Sequence, residues 1–349
     1  MATSEEVARL AGVSRATVSR ALNGSARISD KARERVHAAV TALGYEPDVV
    51  AQSLVRQRSR VIAVGLFPEA NELPHGLPLS HLGQTSLYFY LGVVENIERE
   101  AVSLGYDLLL PSQPYGRSPS NYIRSLQTRR AAGCIMLHAS EARIRALIHS
   151  AIPSVFIDRI VQGSHASYIK SDNIDGARQA TEHLLALGHR RIAFLIGSTI
   201  DLAGLERLLG CQQALAQAGI APDSGLVCQS GWNIDEAYEA ARVLLAERRD
   251  FTAIVAGSDF MAMGILRALT EEGLRVPDDV SLIGFDDIEF CHYTTPPLTS
   301  VRQDRVAMGR GAVQRLVAMI EGTEETSPLI LPTQLVVRKS TGPVPLEVH

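Results

Sequence analysis

From residue 60 onward the chain alternates strand-like apolar runs with amphipathic helical stretches, and that alternation leaves few folds open. Val61–Phe67, Tyr106–Leu110, Cys134–His138, Ser154–Asp158, Ile192–Gly197, Ala253–Gly257 and Ser281–Asp286 read as strands, with helices such as Asp175–Leu187 and Met261–Glu272 between them. Strands joined through helices run parallel, because a parallel return needs a crossover that a hairpin cannot supply. The helices cover both sheet faces, so the strands can be apolar throughout. These units are too many for one simple sheet. In make-up the chain is that of an ordinary soluble protein, 46% hydrophobic and 21% charged. No apolar run approaches the roughly 18 residues of a membrane span. The opening MATSEEVARL carries acids where a secretion leader is apolar. A cytoplasmic location and no membrane partner are expected. Cys134, Cys211, Cys228 and Cys291 are scattered, with no CxxC pair and no His at ligand spacing. They read as reduced thiols, and neither a metal nor a cofactor is expected.

The first sixty residues differ in kind. They carry 10 Lys and Arg against 6 Asp and Glu, whereas the remainder carries 24 against 32. A basic head on an acidic body suits contact with a polyanion. Thr3-Ser4-Glu5-Glu6 is a capping box that starts a helix with Val7, Leu10 and Ala11 on its apolar face. Gly12 ends that helix, Val13 plugs the corner, and Ser14 caps a second helix, Arg15–Leu22, closed by Asn23-Gly24. Val18, Ala21 and Leu22 face inward, leaving Arg15, Ala16, Ser19 and Arg20 outward. Two guanidiniums with little bulk between them suit entry into a DNA major groove. Arg20 is the foremost candidate for a bidentate contact to guanine, with Arg15 reaching a base or a phosphate. Ser29-Asp30 opens a third helix, Lys31–Leu43, apolar at Ala32, Val36, Ala39, Val40 and Leu43 and ended by Gly44. Pro47 then opens a hinge segment of about two turns, too short to be stable alone. Leu54 within it reads either as a wedge between base steps of a widened minor groove or as a contact to a second copy.

VARLAGVSRATVSRALNG, with Tyr45-x-Pro47 and Ala51-x-Ser53-Leu54 behind it, resembles the lactose/galactose repressor (LacI/GalR) family. So do DNIDGARQATEHLLALGHRRIAFL, SDFMAMGILRALTEEGLRVPDDVSLIGFDD, TTPPLTSVRQD and the late VVRKST, so the resemblance runs nearly end to end. It implies an all-α helix-turn-helix head over about 1–45, a hinge helix over about 46–59, and an α/β sensing body over the rest. That body has the fold of periplasmic binding proteins: two doubly wound parallel-sheet subdomains, about 60–172 with 304–334 and about 173–303 with 335–349, around a ligand cleft. The resemblance further implies a homodimer on a near-palindromic double-stranded DNA operator. Ser14, Arg15, Ala16, Thr17, Ser19, Arg20 and Asn23 would read it, with Leu54 inserted at its centre. The tail after Lys339-Ser340-Thr341 leaves no room for leucine heptads, which also favours a dimer. Repression relieved by an effector is the expected mode, and activation by a co-ligand stays open.

Matched to the family's cleft, the effector-binding candidates are Phe89, Tyr90, Asp158, Arg207, Trp232, Ser258, Asp286 and Gln303. Ligands of open parallel sheets sit at the carboxyl ends of strands, and Asp158, Ser258-Asp259 and Asp286-Asp287 fall at such ends. Carboxylates accept from hydroxyls, Arg207 donates to oxygen, and Trp232 offers a flat face to a sugar. The alternative for each carboxylate is a helix N-cap or a solvated loop residue, and for Trp232 a core residue. A sugar is the expected small-molecule effector, with a purine stacked on Trp232 as the alternative. Three departures from the family pattern bear on the ligand. Ser258 replaces an Asn common among sugar-binding relatives, Leu87-Tyr88 replaces the usual Asn-Pro, and Pro68–Leu87 is a long loop, either a lid or a surface excursion. An enzyme using Asp158 and Asp286 as an acid/base pair finds no nucleophile motif, phosphate loop or metal cluster beside it, so no catalytic residue is expected. A transport binding protein fits poorly with the DNA-reading head.

Overall fold

The computed structural model describes residues 2–22, 28–45, 59–65, 87–110, 118–137, 139–197, 201–323 and 327–344. Two compact units result, Met1–Arg60 and Val61–His349. The hinge with Leu54, nearly all of the Pro68–Leu87 loop, and Asn23 lie outside the described residues.

The first unit holds helices α1 (Ser4–Ala11), α2 (Arg15–Leu22) and α3 (Asp30–Leu43). The capping box forms, with the Glu6 amide donating to the Thr3 hydroxyl at 3.3 Å and the Thr3 amide to the Glu6 carboxylate at 2.7 Å. Gly12 turns the chain at φ 63°, a left-handed conformation that a Cβ would strain by roughly 1 kcal/mol or more. Val7, Ala8, Ala11, Val18, Ala21, Val36 and Ala39 form the core. Two expected core residues are on its rim instead: Leu10 is 57% exposed and Leu43 36%. The inward stripe of α1 runs through Val7, Ala8 and Ala11, which turns Leu10 onto the flank, and Leu43 sits in the last turn of α3.

The body begins with β1 (Val61–Gly65), α4 (Leu87–Ser103), β2 (Asp107–Leu109), α5 (Pro119–Thr128), β3 (Gly133–Met136), α6 (Glu141–His149), β4 (Ser154–Ile157) and β5 (Ala166–Ser171). It continues with α7 (Asn173–Ala186), β6 (Ile192–Ile196), α8 (Leu202–Gln217), β7 (Val227–Gln229), α9 (Ile234–Glu247), β8 (Ala253–Ala256), α10 (Asp259–Glu271), β9 (Ser281–Asp286) and β10 (Thr299–Gln303). Last come α11 (Arg305–Glu321), β11 (Leu329–Leu331) and β12 (Thr333–Val336). Among the described residues two six-stranded sheets are built, in the orders β11-β5-β4-β3-β1-β2 and β12-β10-β9-β8-β6-β7. Every pair is parallel except β10 with β12.

The chain passes between the two lobes three times: from β5 into α7, from β10 into α11, and from β11 into β12. Each sheet is packed on both faces by apolar clusters. Phe156, Phe260 and Phe285 are wholly buried, each stabilising by roughly 1.5–3 kcal/mol relative to exposure. α11 belongs to the first lobe although it follows the second in sequence: its Met308, Ala312, Val313 and Leu316 pack with Ile62, Ile135 and Val155.

Candidate DNA-reading and effector-binding sites

On α2, Val18 and Ala21 are buried, while Ser14, Arg15, Ala16, Ser19 and Arg20 are exposed and Thr17 is half-buried. The Ser14 hydroxyl accepts the Thr17 amide at 3.2 Å, fixing the start of the helix. Arg15 reaches back to Glu5 of α1 at 3.3 Å. Both side chains are solvent-exposed, so this pair contributes well under about 1 kcal/mol and leaves Arg15 available to a phosphate or base.

In the body, the carboxyl ends of the strands gather a polar cluster drawn from both lobes. Asp158 follows β4 at φ 55°, and Asp286 ends β9 at φ 117°. Positive φ at a residue other than glycine costs of order 1 kcal/mol or more and is concentrated at sites where function fixes the backbone. The Tyr90 hydroxyl, from α4, donates to Asp158 Oδ2 at 3.0 Å. From the other lobe, Arg207 of α8 donates through Nε to Asn173 Oδ1 at 3.0 Å and through Nη1 to the Gly257 carbonyl. Its Nη2 stands 3.7 Å from Asp286. The guanidinium lies 3.7 Å from the Phe285 ring centre and 5.5 Å from that of Trp232. Gln303, 3% exposed, donates to Asp286 Oδ1 at 2.7 Å.

Burial raises the pKa of Asp158, opposed chiefly by Arg207 and the Tyr90 hydroxyl. Burial likewise pushes Asp286 up to about 6, with Arg207 the main opposing influence. Burial, followed by the charge and hydrogen bond of Asp158, raises the Tyr90 phenol well above its ordinary value.

Three more contacts cross between the lobes. Lys170 of β5 pairs with Glu206 of α8, both largely buried, and Asn173 donates to the same carboxylate at 3.1 Å. Arg159 reaches Asp201 at 3.5 Å, and the Trp232 indole N–H donates to that carboxylate at 2.8 Å. Tyr88 of α4 packs against Phe260 and Phe290 of the second lobe, with ring centres 5.7 and 5.4 Å apart.

Tyr90, Asp158, Arg207, Trp232, Asp286 and Gln303 therefore share one region. The other two candidates are built in differently. Phe89, 3% exposed, packs in the first lobe's core and meets Tyr90 edge-on at 5.3 Å. Ser258 is fully buried and caps α10, accepting the Met261 amide at 3.2 Å. Trp232 lies flat over Gly197, where a Cβ would come within 2.1 Å of the indole. Asp287 is held by Arg302 at 2.7 Å and Arg338 at 2.6 Å.

Lys170, Asn173, Glu206 and Asp201 were missed from sequence, and Tyr88 was noted there only as a departure from the family pattern. Recognising β5 as a strand would have flagged Lys170 and Asn173 at its carboxyl end. Glu206 adjoins Arg207, and Tyr88 adjoins the aromatic pair.

Asp259 is a structural carboxylate, accepting the Ile288 amide at 2.9 Å and the Ser300 hydroxyl at 2.6 Å. Burial, and then the nearby charge of Asp286, push it up to about 8. An acid with a raised folded pKa binds more protons folded than unfolded. Its stabilising contribution is full below about pH 4 and is lost as pH climbs through the folded value. Burial lowers His183 and His189 and so acts in the opposite sense near pH 6. The stability of the natural chain minus that of Asp259→Asn, measured by urea unfolding, is therefore expected to fall steadily between about pH 5 and pH 8.5. A flat difference would mean that Asp259 keeps an ordinary pKa.

Fold and site together define a helix-turn-helix unit followed in sequence by a two-lobed body. Residues 3–48 match the family of bacterial regulatory proteins, lacI family, and residues 181–341 match the periplasmic binding protein-like domain. The HTH-type transcriptional regulator CelR of Thermobifida fusca is 36% identical over 343 residues, covering 97% of this chain and 98% of that protein. The HTH-type transcriptional repressor PurR of Vibrio atlanticus (strain LGP32) is 31% identical over 345 residues, covering 98% of each. Among solved structures, the lac repressor dimer bound to operator and the anti-inducer ONPF superposes with a TM-score of 0.79 at 30% identity, covering 98% of this chain and 99% of that one. A CelR–cellobiose complex gives 0.72 at 34% identity, covering 97% and 100%. The chain belongs to the LacI family. It is a DNA-binding transcriptional regulator and not an enzyme. No helix among the described residues is long and apolar enough to cross a membrane.

Proposed function

We propose that this regulator is a cytoplasmic repressor. It binds a near-palindromic operator as a homodimer and releases it when a sugar occupies the cleft between the two lobes. The observation that carries this reading is the polar cluster around Arg207. Asp158 and Tyr90 come from one lobe, Arg207 and Asp286 from the other, so an occupant touching both sets changes how the lobes are held. Tyr90, Asp158, Arg207, Asp286 and Gln303 bind its hydroxyls, and Trp232 lies beside its apolar face. Likeness to the CelR–cellobiose complex makes cellobiose the first sugar to try.

Trp232 is the only tryptophan, so its emission reports the cleft directly. Titration with cellobiose, other sugars and purine bases, with and without operator DNA, is expected to give a saturable change with a sugar and weaker sugar binding on DNA. Saturation by a purine alone, or tighter binding on DNA, would replace this reading with that of a co-repressor.

Ser14, Arg15, Ala16, Thr17, Ser19 and Arg20 form the surface offered to the major groove, with Asn23 and Leu54 completing the contact. Arg20→Ala is expected to cost about 1–3 kcal/mol of operator affinity and to relax selectivity at one base pair per half-site. A uniform loss over all sequences in a binding selection would assign Arg20 to phosphate instead.

A further inference from the structure

We infer that the cleft is built for an uncharged, hydroxyl-rich ligand and discriminates against the phosphorylated form of the same sugar. The inference rests on the cleft being the effector site, and it follows from which hydrogen-bonding groups the protein has already used. Lys170 is committed to Glu206, the Trp232 N–H to Asp201, and the Tyr90 hydroxyl to Asp158. Arg207 spends Nε on Asn173 and Nη1 on the Gly257 carbonyl, leaving Nη2, 3.7 Å from Asp286, as its remaining donor.

The acceptors stand the other way. Gln303 Oε1 is shut off from solvent and makes no hydrogen bond within the described residues; Asp158 Oδ1 is equally buried, its carboxylate held by the Tyr90 hydroxyl and the Ser171 backbone. Asp158 and Ser171 end neighbouring parallel strands, since Ile157 pairs with Ile169 and the Asp158 amide donates to the Ile169 carbonyl. Gln303 bridges to Asp286, which faces Arg207. A buried acceptor without a donor is costly, so the occupant is one that brings donors.

Charge points the same way. Each cation of the cluster already faces a carboxylate, Lys170 with Glu206, Arg305 with Glu289 and Arg207 with Asp158 and Asp286, so no unmatched cation among the described residues of the cluster is left for a phosphate. A sugar hydroxyl donates to Asp158 or Gln303 and accepts from Arg207 Nη2 at once. A phosphate brings acceptors and negative charge, and like charges placed together across an interface are strongly disfavoured.

The test is calorimetric titration of the full chain with matched pairs: cellobiose and cellobiose 6-phosphate, glucose and glucose 6-phosphate, ribose and ribose 5-phosphate. The neutral member of the binding pair is expected to bind at least about 100-fold more tightly. Glu206→Gln, which frees the Lys170 ammonium, is expected to narrow that ratio at least about tenfold. Asp158→Asn, which replaces an acceptor-only group with one that also donates, narrows it too and serves should Glu206→Gln fail to fold. Equal or tighter binding of a phosphorylated member by the natural chain overturns the inference and leaves the cleft assignment standing. So does a ratio unmoved in both variants. If no sugar of either kind binds, the effector-site reading itself falls and takes this inference with it.

Discussion

Asp158→Ala is expected to weaken effector binding by roughly two to three orders of magnitude while leaving operator binding intact. The carboxylate holds the Tyr90 hydroxyl through Oδ2, faces Arg207 and the Ser171 backbone, and keeps Oδ1 buried. Truncation removes the acceptor offered to the ligand and strands the buried phenol, and removing one partner of a buried charged hydrogen bond costs 2 to about 5 kcal/mol. The variant should remain on DNA at sugar concentrations that release the natural protein, a result read by Trp232 emission and by operator retention in parallel. Unchanged sugar affinity would reduce Asp158 to a cap on its strand, and loss of operator binding would show that it supports the fold.

Gly264→Leu is expected to have the largest effect on stability. Gly264 sits in α10 where a Cβ would lie 2.2 Å from the Ile234 carbonyl oxygen and 2.9 Å from the Tyr238 amide nitrogen, both backbone atoms of α9. Backbone cannot swing aside as a side chain can, so the two helices must separate and open the core around Ala237, Ala241, Ala268 and Leu269. Overpacking of this kind costs about 1–3 kcal/mol and more when the scaffold cannot yield. In a body of this size the upper end corresponds to a Tm lower by roughly 6–12 °C. Thermal unfolding followed at Trp232, which packs against the same cluster, measures it. A Tm within about 2 °C of the natural protein's would mean that α9 and α10 slide apart cheaply.

The head was legible almost residue by residue because its signals are local. A capping box, a glycine turn and a serine cap each act within four residues, and the differences are confined to Leu10 and Leu43, which lie on the rim of the core. Strands made of unbroken apolar runs, such as Ile192–Ile196 and Ala253–Ala256, were equally plain. β5, β10 and β12 were not, since ASYIKS, TSVRQ and TQLV mix polar residues into strands that lie at the crossings between the lobes. The site divides the same way. Asp158 and Asp286 were readable as residues at strand ends, whereas Lys170 and Glu206 lie 36 residues apart and on different lobes. No short-range pattern links them. Phe89 and Ser258 show the converse: a position in a motif does not say whether a side chain meets the ligand or holds up its neighbour, as Phe89 does for Tyr90 and Ser258 for α10.

The threefold passage of the chain between lobes bears on how this protein is made. The first lobe is not complete when its five leading strands have left the ribosome. Met308, Ala312, Val313 and Leu316, which close one face of that sheet, and Leu329–Leu331, which closes its edge, are more than a hundred residues further on. Until they arrive, the cluster around Ile62, Ile135 and Val155 has only α4 to cover it and β5 offers an open edge, the conditions under which nascent sheets associate wrongly. The second lobe, contiguous from Asn173 to Gln303 apart from its last strand, can condense first. The topology thus lets the lobe made second be finished first, while the sheet begun first is completed only by α11 and β11, made after the second lobe's own helices.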